Sequence, residues 1–172
     1  QIDPVHEVMK LLEEYPRMQI PDPSLKDKSL AFAKRHKQVF ARQEFTSRIH
    51  NDVTPANILF GSEVTYVDWE WSVCKDPAQD VQLLYYAESD IYPWSIRLSS
   101  ERLRYYLGVY EGSAKPGRHF DTRLRFWQVV SLLTDYLYLT WKLTHDMHFA
   151  YSRAWYEKTW LILGKTLQQR LI

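Results

Sequence analysis

One short hairpin pattern interrupts a chain whose other apolar residues mostly recur at helical spacing. The β-rich runs at residues 58–60 and 64–67 are separated by Gly-Ser-Glu at 61–63, which is typical of a tight connection between antiparallel strands. In a hairpin, the start of the first strand and the end of the second strand lie at the same edge. The sequence therefore predicts that Asn57, just before the first strand, and Asp68, just after the second, come within reach of one ion.

The residues around this hairpin suit the transfer of a phosphoryl group. Transfer from a nucleoside triphosphate to an alcohol needs a carboxylate that orients the hydroxyl and accepts its proton, together with oxygen ligands that hold Mg2+ against the phosphates. Asp52 suits the first task, and Asn57 and Asp68 suit the second. Mg2+ usually keeps several waters, so one or two protein side chains meet its demand. The expected cofactors are Mg2+ and ATP as phosphoryl donor.

Three motifs follow one another along the chain: His-x-Asp-x-x-x-x-Asn at residues 50–57, a hydrophobic residue with Asp-Trp-Glu at 67–70, and Asp-Pro-Ala-x-Asp at 76–80. Each is a weak signal alone, but in this order they resemble the aminoglycoside phosphotransferase and choline kinase superfamily, the small-molecule branch of the protein-kinase-like fold. The His-Asn-Asp opening is more similar to the choline, ethanolamine and thiamine kinases than to the antibiotic-resistance enzymes. Three residues replace the common glycine, histidine and glycine: Asn51, Thr54 and Ala56.

The resemblance implies a role for each motif residue. Residues 50–57 would form the catalytic loop, with Asp52 as the catalytic base. Asn57 and Asp68 would bind Mg2+. His50 would brace the catalytic loop, and Asp80 would accept backbone hydrogen bonds from it.

Asp76 has two interpretations. By resemblance it would help to end the metal loop, which we define as residues 67–76. An aspartate before Pro77 is also an ordinary helix N-cap with proline at the first helical position.

Aromatic residues make up 15% of the chain and crowd its last two expected helices. Aromatic faces hold a quaternary ammonium by cation–π attraction, and an acid adds charge complementarity. In choline kinases the alcohol is bound by aromatic and acidic residues of the larger lobe, so the resemblance implies Glu70, Asp135 and Trp141 as candidate substrate-binding residues. The simpler interpretation is that the rings pack the core.

The expected fold is α+β and mostly α: a kinase-like C-terminal lobe in which about six helices surround a small β-hairpin that carries the catalytic and metal loops. Helical spacing and its breaks give the expected helices. They span approximately residues 5–12, 25–43, 81–87, 103–110 (stopped by Gly112 and by 115–117), 121–146 and 153–171.

The segment before the catalytic loop lacks the features of a nucleotide-binding lobe. A complete enzyme of this superfamily has an upstream β-rich lobe with a phosphate-covering loop and a lysine. No glycine precedes Gly61, and the first fifty residues show no strand pattern. We therefore expect residues 1–172 to form a single domain, the C-terminal lobe, with the N-terminal lobe supplied in cis or in trans. Alone it would have weak or no kinase activity; the alternative is a non-catalytic kinase-like binding or scaffold module.

Composition argues against several classes of partner. The net charge is +1, so no global field favours nucleic acid, and no apolar run approaches the roughly 20 residues that span a bilayer. The single cysteine, Cys74, cannot form an internal disulfide, which suits a reducing compartment. The expected partner is a small-molecule alcohol, with neither nucleic acid nor membrane, in the cytoplasm.

Overall fold

The computed structural model describes residues 2–14, 22–41, 46–82, 99–145 and 150–172. These residues form six α-helices and four short strands, so the predicted mostly helical α+β fold is confirmed. The helices are α1 Pro4–Glu14, α2 Leu25–Ala41, α3 Ala78–Val81, α4 Ser100–Ala114, α5 Phe120–Thr144 and α6 Arg153–Arg170. The strands are β1 Ser47–Ile49, β2 Ile58–Phe60, β3 Val64–Tyr66 and β4 Val73–Lys75.

The chain divides into two compact units. One unit combines residues 1–42 with 129–172, and the other spans 43–128. In the first unit α1 packs on α2, and the Arg35 guanidinium of α2 donates a hydrogen bond to the carbonyl of Leu171 after α6. Its core is built from fully buried apolar side chains at helical spacing: Leu25, Phe40, Leu133, Leu137, Leu163 and Leu167.

The second unit contains two separate antiparallel strand pairs. Strands β2 and β3 form the predicted hairpin, with Ile58 opposite Tyr66. Strand β1 pairs with β4, with Ile49 opposite Val73. Strand β1 leads directly into the catalytic loop, and β4 forms the last part of the metal loop, just before Asp76.

Two sequence expectations are wrong. The first fifty residues were expected to contain no strand, yet Ser47–Ile49 is β1. Only Ile49 of this strand is buried, and three residues are too few to show alternation, so its pairing with distant β4 defines it. The expected stop of α4 at Gly112 is also wrong, because the helix continues to Ala114. The stop expected at 115–117 is confirmed, since Lys115 ends the helix in the left-handed conformation with φ 46°.

The remaining helix boundaries agree with the periodicity of the sequence, except that most of the helix expected at 81–87 lies outside the described residues. Ser99 and Ser152 cap α4 and α6 by accepting backbone hydrogen bonds from Arg102 and Trp155. Within the part of the chain that the structure describes, no helix is both long and apolar enough to cross a membrane.

Gly164 provides a test of the packing between α5 and α6. A Cβ at this position would lie 2.9 Å from Cε2 of Tyr136, whose buried ring stacks on Trp160 at 5.6 Å and cannot turn away. We expect Gly164→Ala to lower the free energy of unfolding in urea by about 1–3 kcal/mol, because overpacking outweighs the gain in helix propensity.

The matched control is Gly108→Ala in α4, where an added Cβ meets nothing within 4 Å. This variant should gain up to about 1 kcal/mol from helix propensity. Equal stability of the two variants would contradict the close approach at Gly164.

Candidate active site

The hairpin holds the two proposed metal ligands at one edge. Its ladder extends one step beyond the strands, because the amide of Val67 donates to the carbonyl of Asn57 at 3.0 Å. Asp68 is the next residue after Val67, and its side chain is exposed, whereas Asn57 is only 8% exposed. Asn57 is paired with Val67, and Asp68 follows Val67 directly. Both residues therefore lie at the same edge of the hairpin, as the sequence predicted.

The Asn57 side chain joins the proposed ligand to the proposed base. Its Nδ2 donates to the carbonyl and to Oδ2 of Asp52, both at 2.9 Å. Both partners can only accept when Asp52 is ionised, so the atom facing them must be the amide nitrogen. The amide oxygen of Asn57 is thereby turned away from Asp52 and is the atom that could bind a cation.

His50 connects the catalytic loop to the end of the hairpin. Its Nε2 lies 2.7 Å from the carbonyl of Val67, and its Nδ1 accepts the amide of Asp52 at 3.3 Å. A carbonyl cannot donate, so Nε2 carries the hydrogen and Nδ1 is the acceptor of a neutral ring. The ring is 2% exposed and lies against Trp69, with 4.7 Å between centroids. His50 therefore fixes Asp52 relative to the residue before Asp68.

Asp80 receives the backbone of the catalytic loop. Its two carboxylate oxygens accept the amides of His50 at 2.7 Å and Asn51 at 2.8 Å. Burial raises the pKa of Asp80 above its ordinary value, while the two amide hydrogen bonds act in the opposite direction. Burial therefore makes the ionised form of Asp80 less favourable than it is in water, and the two amide hydrogen bonds offset part of this penalty.

The backbone at Asn51 and Asp68 explains two residue choices. Asn51 has φ 67° and Asp68 has φ 64°, a left-handed conformation in which glycine, asparagine and aspartate are the most tolerated residues. Asparagine can therefore stand where many family members have glycine. The Gln79 amide nitrogen also donates to the Asn51 side-chain oxygen at 2.5 Å. Non-glycine residues in this conformation concentrate at functional sites.

Asp76 is fully buried and lies one residue before Pro77, the N-cap of α3, so the predicted N-cap position is displaced by one residue. Its Oδ1 accepts the amide of Ala78 at the start of α3, and its Oδ2 accepts from Arg123 Nε at 2.8 Å and from Trp127 Nε1 at 3.0 Å. The sequence analysis missed Arg123 and Trp127. The available signal was Arg123 itself, which shares a helix face with Phe120, Phe126 and Trp127, because a buried cation requires a partner.

The three candidate substrate residues belong to different units. Glu70 is exposed in the short turn Trp69–Trp71, which follows Asp68. Asp135 and Trp141 are half-buried on α5 in the other unit. Trp141 stacks on Tyr138, with 6.3 Å between centroids. Their role in substrate binding stays a prediction.

The donor set around the hairpin fits Mg2+ chemically. An amide oxygen and a carboxylate are the hard ligands this ion prefers, and they leave its other positions to phosphates and water. Among the described residues, no group of three or more His, Cys, Asp or Glu side chains could hold a metal ion. A donor pair such as Asn57 and Asp68 would suit a cation that is also bound by an anionic ligand.

Comparison with known families identifies the lineage of this site. Residues 5–121, more than half of the chain, match the model of the APH phosphotransferase enzyme family. The chain belongs to this family. The matched segment includes all three motifs, from His50 to Asp80. A comparison with curated proteins found no match.

Solved structures show the same kinase-like fold. Choline kinase LicA from Streptococcus pneumoniae aligns with a TM-score of 0.66 at 20% identity, over 98% of this chain and 56% of that chain. LicA in complex with AMP aligns with a TM-score of 0.65 at 20% identity, over 99% and 55%. An ethanolamine kinase from Plasmodium vivax aligns with a TM-score of 0.56 at 12% identity, over 97% and 49%. The chain thus spans about half the length of these kinases.

The bond between Asn57 and Asp52 can be tested by exchanging their side chains. We expect Asn57→Asp to destabilise the protein, because two hydrogen bonds are lost and two carboxylates face each other. Adding Asp52→Asn should recover part of this loss, since an amide again faces a carboxylate. A urea double-mutant cycle should give a coupling energy of about 0.5–3 kcal/mol.

The control cycle combines Asp52→Asn with Asn51→Asp. It places the same charge next to position 52, at a residue that makes no side-chain hydrogen bond to Asp52. If both cycles give the same coupling energy, general charge repulsion rather than the Asn57 contact would account for it.

Proposed function

We propose that this chain is the larger lobe of an ATP- and Mg2+-dependent phosphotransferase that acts on the hydroxyl of a small molecule. The acceptor class would be choline-, ethanolamine- or thiamine-like, or aminoglycoside-like. The observation that carries the proposal is the connection of Asp52 to both sides of the hairpin edge, through Asn57 on one strand and through His50 to Val67 on the other. It supports a base and two oxygen ligands held in one fixed arrangement.

Asp52 is proposed to orient the acceptor hydroxyl and take its proton. Its Oδ2 is engaged by Asn57, and its Oδ1 has no hydrogen-bond partner among the described residues. Oδ1 is therefore the atom available to an acceptor hydroxyl. A carboxylate oxygen at hydrogen-bond distance from the acceptor hydroxyl is what a general base requires.

Asn57 and Asp68 are proposed to hold Mg2+ with the nucleotide phosphates. The ion would neutralise charge that develops on the phosphates during transfer. The contribution of the chain is to keep the Asn57 amide oxygen directed away from Asp52, so that the base and the ligand do not compete for the ion. His50 and Asp80 would maintain this arrangement through the bonds described above.

The nucleotide is proposed to be clamped by an N-terminal lobe, in cis or in trans. LicA, which has been solved in complex with AMP, is nearly twice as long as the segment that aligns with this chain. The hairpin also exposes large apolar side chains: Leu59, Phe60 at 79% and Val64. A two-stranded hairpin is marginally stable without further packing, so a covering lobe would suit it.

Glu70 in one unit, and Asp135 and Trp141 in the other, are each proposed as candidate acceptor-binding residues, as the resemblance implies. In the unit that contains Asp135 and Trp141, the Lys142 ammonium lies over the rings of Tyr138 at 5.5 Å and Tyr156 at 4.9 Å. These distances are short enough for cation–π attraction, so the aromatic cluster of α5 and α6 already holds a cation. We further propose a cytoplasmic location, which the single free cysteine, Cys74, suits.

Mg2+ titration tests the proposed ligands. We expect Asp68→Ala to weaken Mg2+ binding in the presence of nucleotide by about tenfold or more, because one of two protein oxygen ligands is lost. Mg2+-dependent amide shifts in two-dimensional NMR measure this affinity, and Glu63→Ala in the hairpin turn is the control for a nearby exposed acid. Equal affinity in wild type and Asp68→Ala would remove Asp68 as a ligand.

Phosphoryl transfer tests the proposed base. With ATP, Mg2+ and a panel of amino alcohols and aminoglycosides, we expect weak or no turnover by the chain alone. Turnover restored by a supplied nucleotide lobe should fall by about 10²–10⁴-fold in Asp52→Asn. Tight Mg2+ and nucleotide binding without any transfer in that assembly would favour the scaffold module instead.

A further inference from the structure

Arg123 connects three segments of the second unit through one buried side chain. It lies in the first turn of α5 and is 2% exposed. Its Nε donates to Oδ2 of Asp76, the last residue of the metal loop, at 2.8 Å. Its two terminal nitrogens donate to the carbonyls of Pro116 and Arg118 in the loop before α5. The metal loop, the α4–α5 connection and α5 therefore meet at one guanidinium.

A buried ion pair of this kind is costly unless its hydrogen-bonding groups are satisfied. Here Asp76 accepts three hydrogen bonds, from Ala78, Arg123 and Trp127. Each guanidinium nitrogen of Arg123 also has an acceptor. A network this complete favours one geometry strongly, because any displacement leaves a buried polar group without its partner.

Trp127 supplies a second connection between α5 and the end of the metal loop. Its indole nitrogen binds the same carboxylate oxygen as Arg123. Its ring also lies under the ammonium of Lys75, the last residue of β4, at 5.3 Å. Lys75 and Asp76, which are adjacent in the chain, therefore both contact Trp127 of α5.

The segment held by Arg123 in turn holds the catalytic loop. Strand β4 pairs with β1, which ends at Ile49 immediately before His50. The Asp76 side chain accepts the amide of Ala78, the first residue of α3, and Asp80 on α3 accepts the amides of His50 and Asn51. The pairing of β4 with β1 and the contacts through α3 therefore both connect Asp76 to the start of the catalytic loop.

The loop before α5 has a backbone suited to a guanidinium. Lys115, Gly117 and His119 have φ values of 46°, 82° and 58°. The carbonyls of the two residues between them are those that accept from Arg123. Left-handed residues persist where surrounding contacts determine them. Only the planar fork of arginine, with several donors, reaches a carboxylate and two carbonyls together; a lysine offers a single point charge.

We infer that Arg123 is a positioning residue for the phosphoryl-transfer site, acting through Asp76 on the catalytic loop. This inference rests on the proposed function of that site. Arg123 contacts none of the proposed reacting groups; it fixes the segment from β4 to Asp80, which sets the place of His50 and Asn51 and hence of Asp52.

The test is Arg123→Lys, which keeps the charge and loses the fork. We expect amide hydrogen exchange at His50 and Asn51 to accelerate by about tenfold relative to buried amides of α5 in the same unit. The indole N–H resonance of Trp127 should shift. Mg2+ affinity should fall by about 10–100-fold, as for loss of other groups that orient metal ligands. The control is Arg153→Lys in the exposed Arg153–Glu157 pair, which should change none of the three.

The outcomes separate positioning from general stability. If Arg123→Lys lowers the melting temperature while exchange at His50 and Asn51 rises no more than in α5, and Mg2+ affinity is unchanged, Arg123 is only structural and the inference is overturned. If the wild-type protein shows no Mg2+ binding that depends on Asp68, the proposed function fails, but the exchange comparison still decides the positioning role.

A second variant covers the case in which Arg123→Lys does not fold. Trp127→Phe keeps an aromatic ring beside Lys75 and removes the indole hydrogen bond to Asp76, together with part of the buried ring. Faster exchange at His50 and Asn51 in this variant supports the inference, and unchanged exchange at both amides overturns it.

Discussion

Both backbone groups of Val67 are bonded, and the proposed active site depends on that pair of bonds. Its amide donates to the carbonyl of Asn57, and its carbonyl accepts from the ring of His50. The first bond belongs to the hairpin, and the second reaches the catalytic loop. Because Asp68 is the next residue, the backbone of one residue, Val67, connects the segment of the proposed ligands to the loop of the proposed base. The buried imidazole allows no rearrangement without loss of a hydrogen bond.

Other contacts in the second unit hold the catalytic loop and the end of the metal loop in place. Asp80 binds the loop amides, and Asp76 attaches the following segment to Arg123 and Trp127. Asp76 is fully buried and Asp80 is half-buried, whereas Asp68 is exposed. The division follows from electrostatics: a carboxylate that must meet a cation needs access, whereas one that orders a loop is most effective where water does not compete.

Local patterns predicted the hairpin, the shared edge of Asn57 and Asp68, and most helix boundaries. Hairpin turns and helical periodicity depend on residues that are close in the chain, so a single sequence is enough to predict them. Strands β2 and β3 are as short as β1 and β4, but a tight turn that the sequence reveals joins them. Strands β1 and β4 escaped prediction because their partners lie far apart in the chain, with no direct turn between them. The Asp76–Arg123 pair escaped because 47 residues separate its members, and only burial reveals which cation a buried acid meets.

The sequence by itself determined the lineage of the chain and the types of residue at the site, since these reside in three short motifs from His50 to Asp80. Only the tertiary structure decided how they are held: the neutral tautomer of His50, the direction of the Asn57 amide, and the guanidinium that neutralises Asp76. The physical reason is that motif spacing constrains backbone over a few residues, whereas hydrogen-bond partners in a buried network are chosen among groups that meet only after the chain folds.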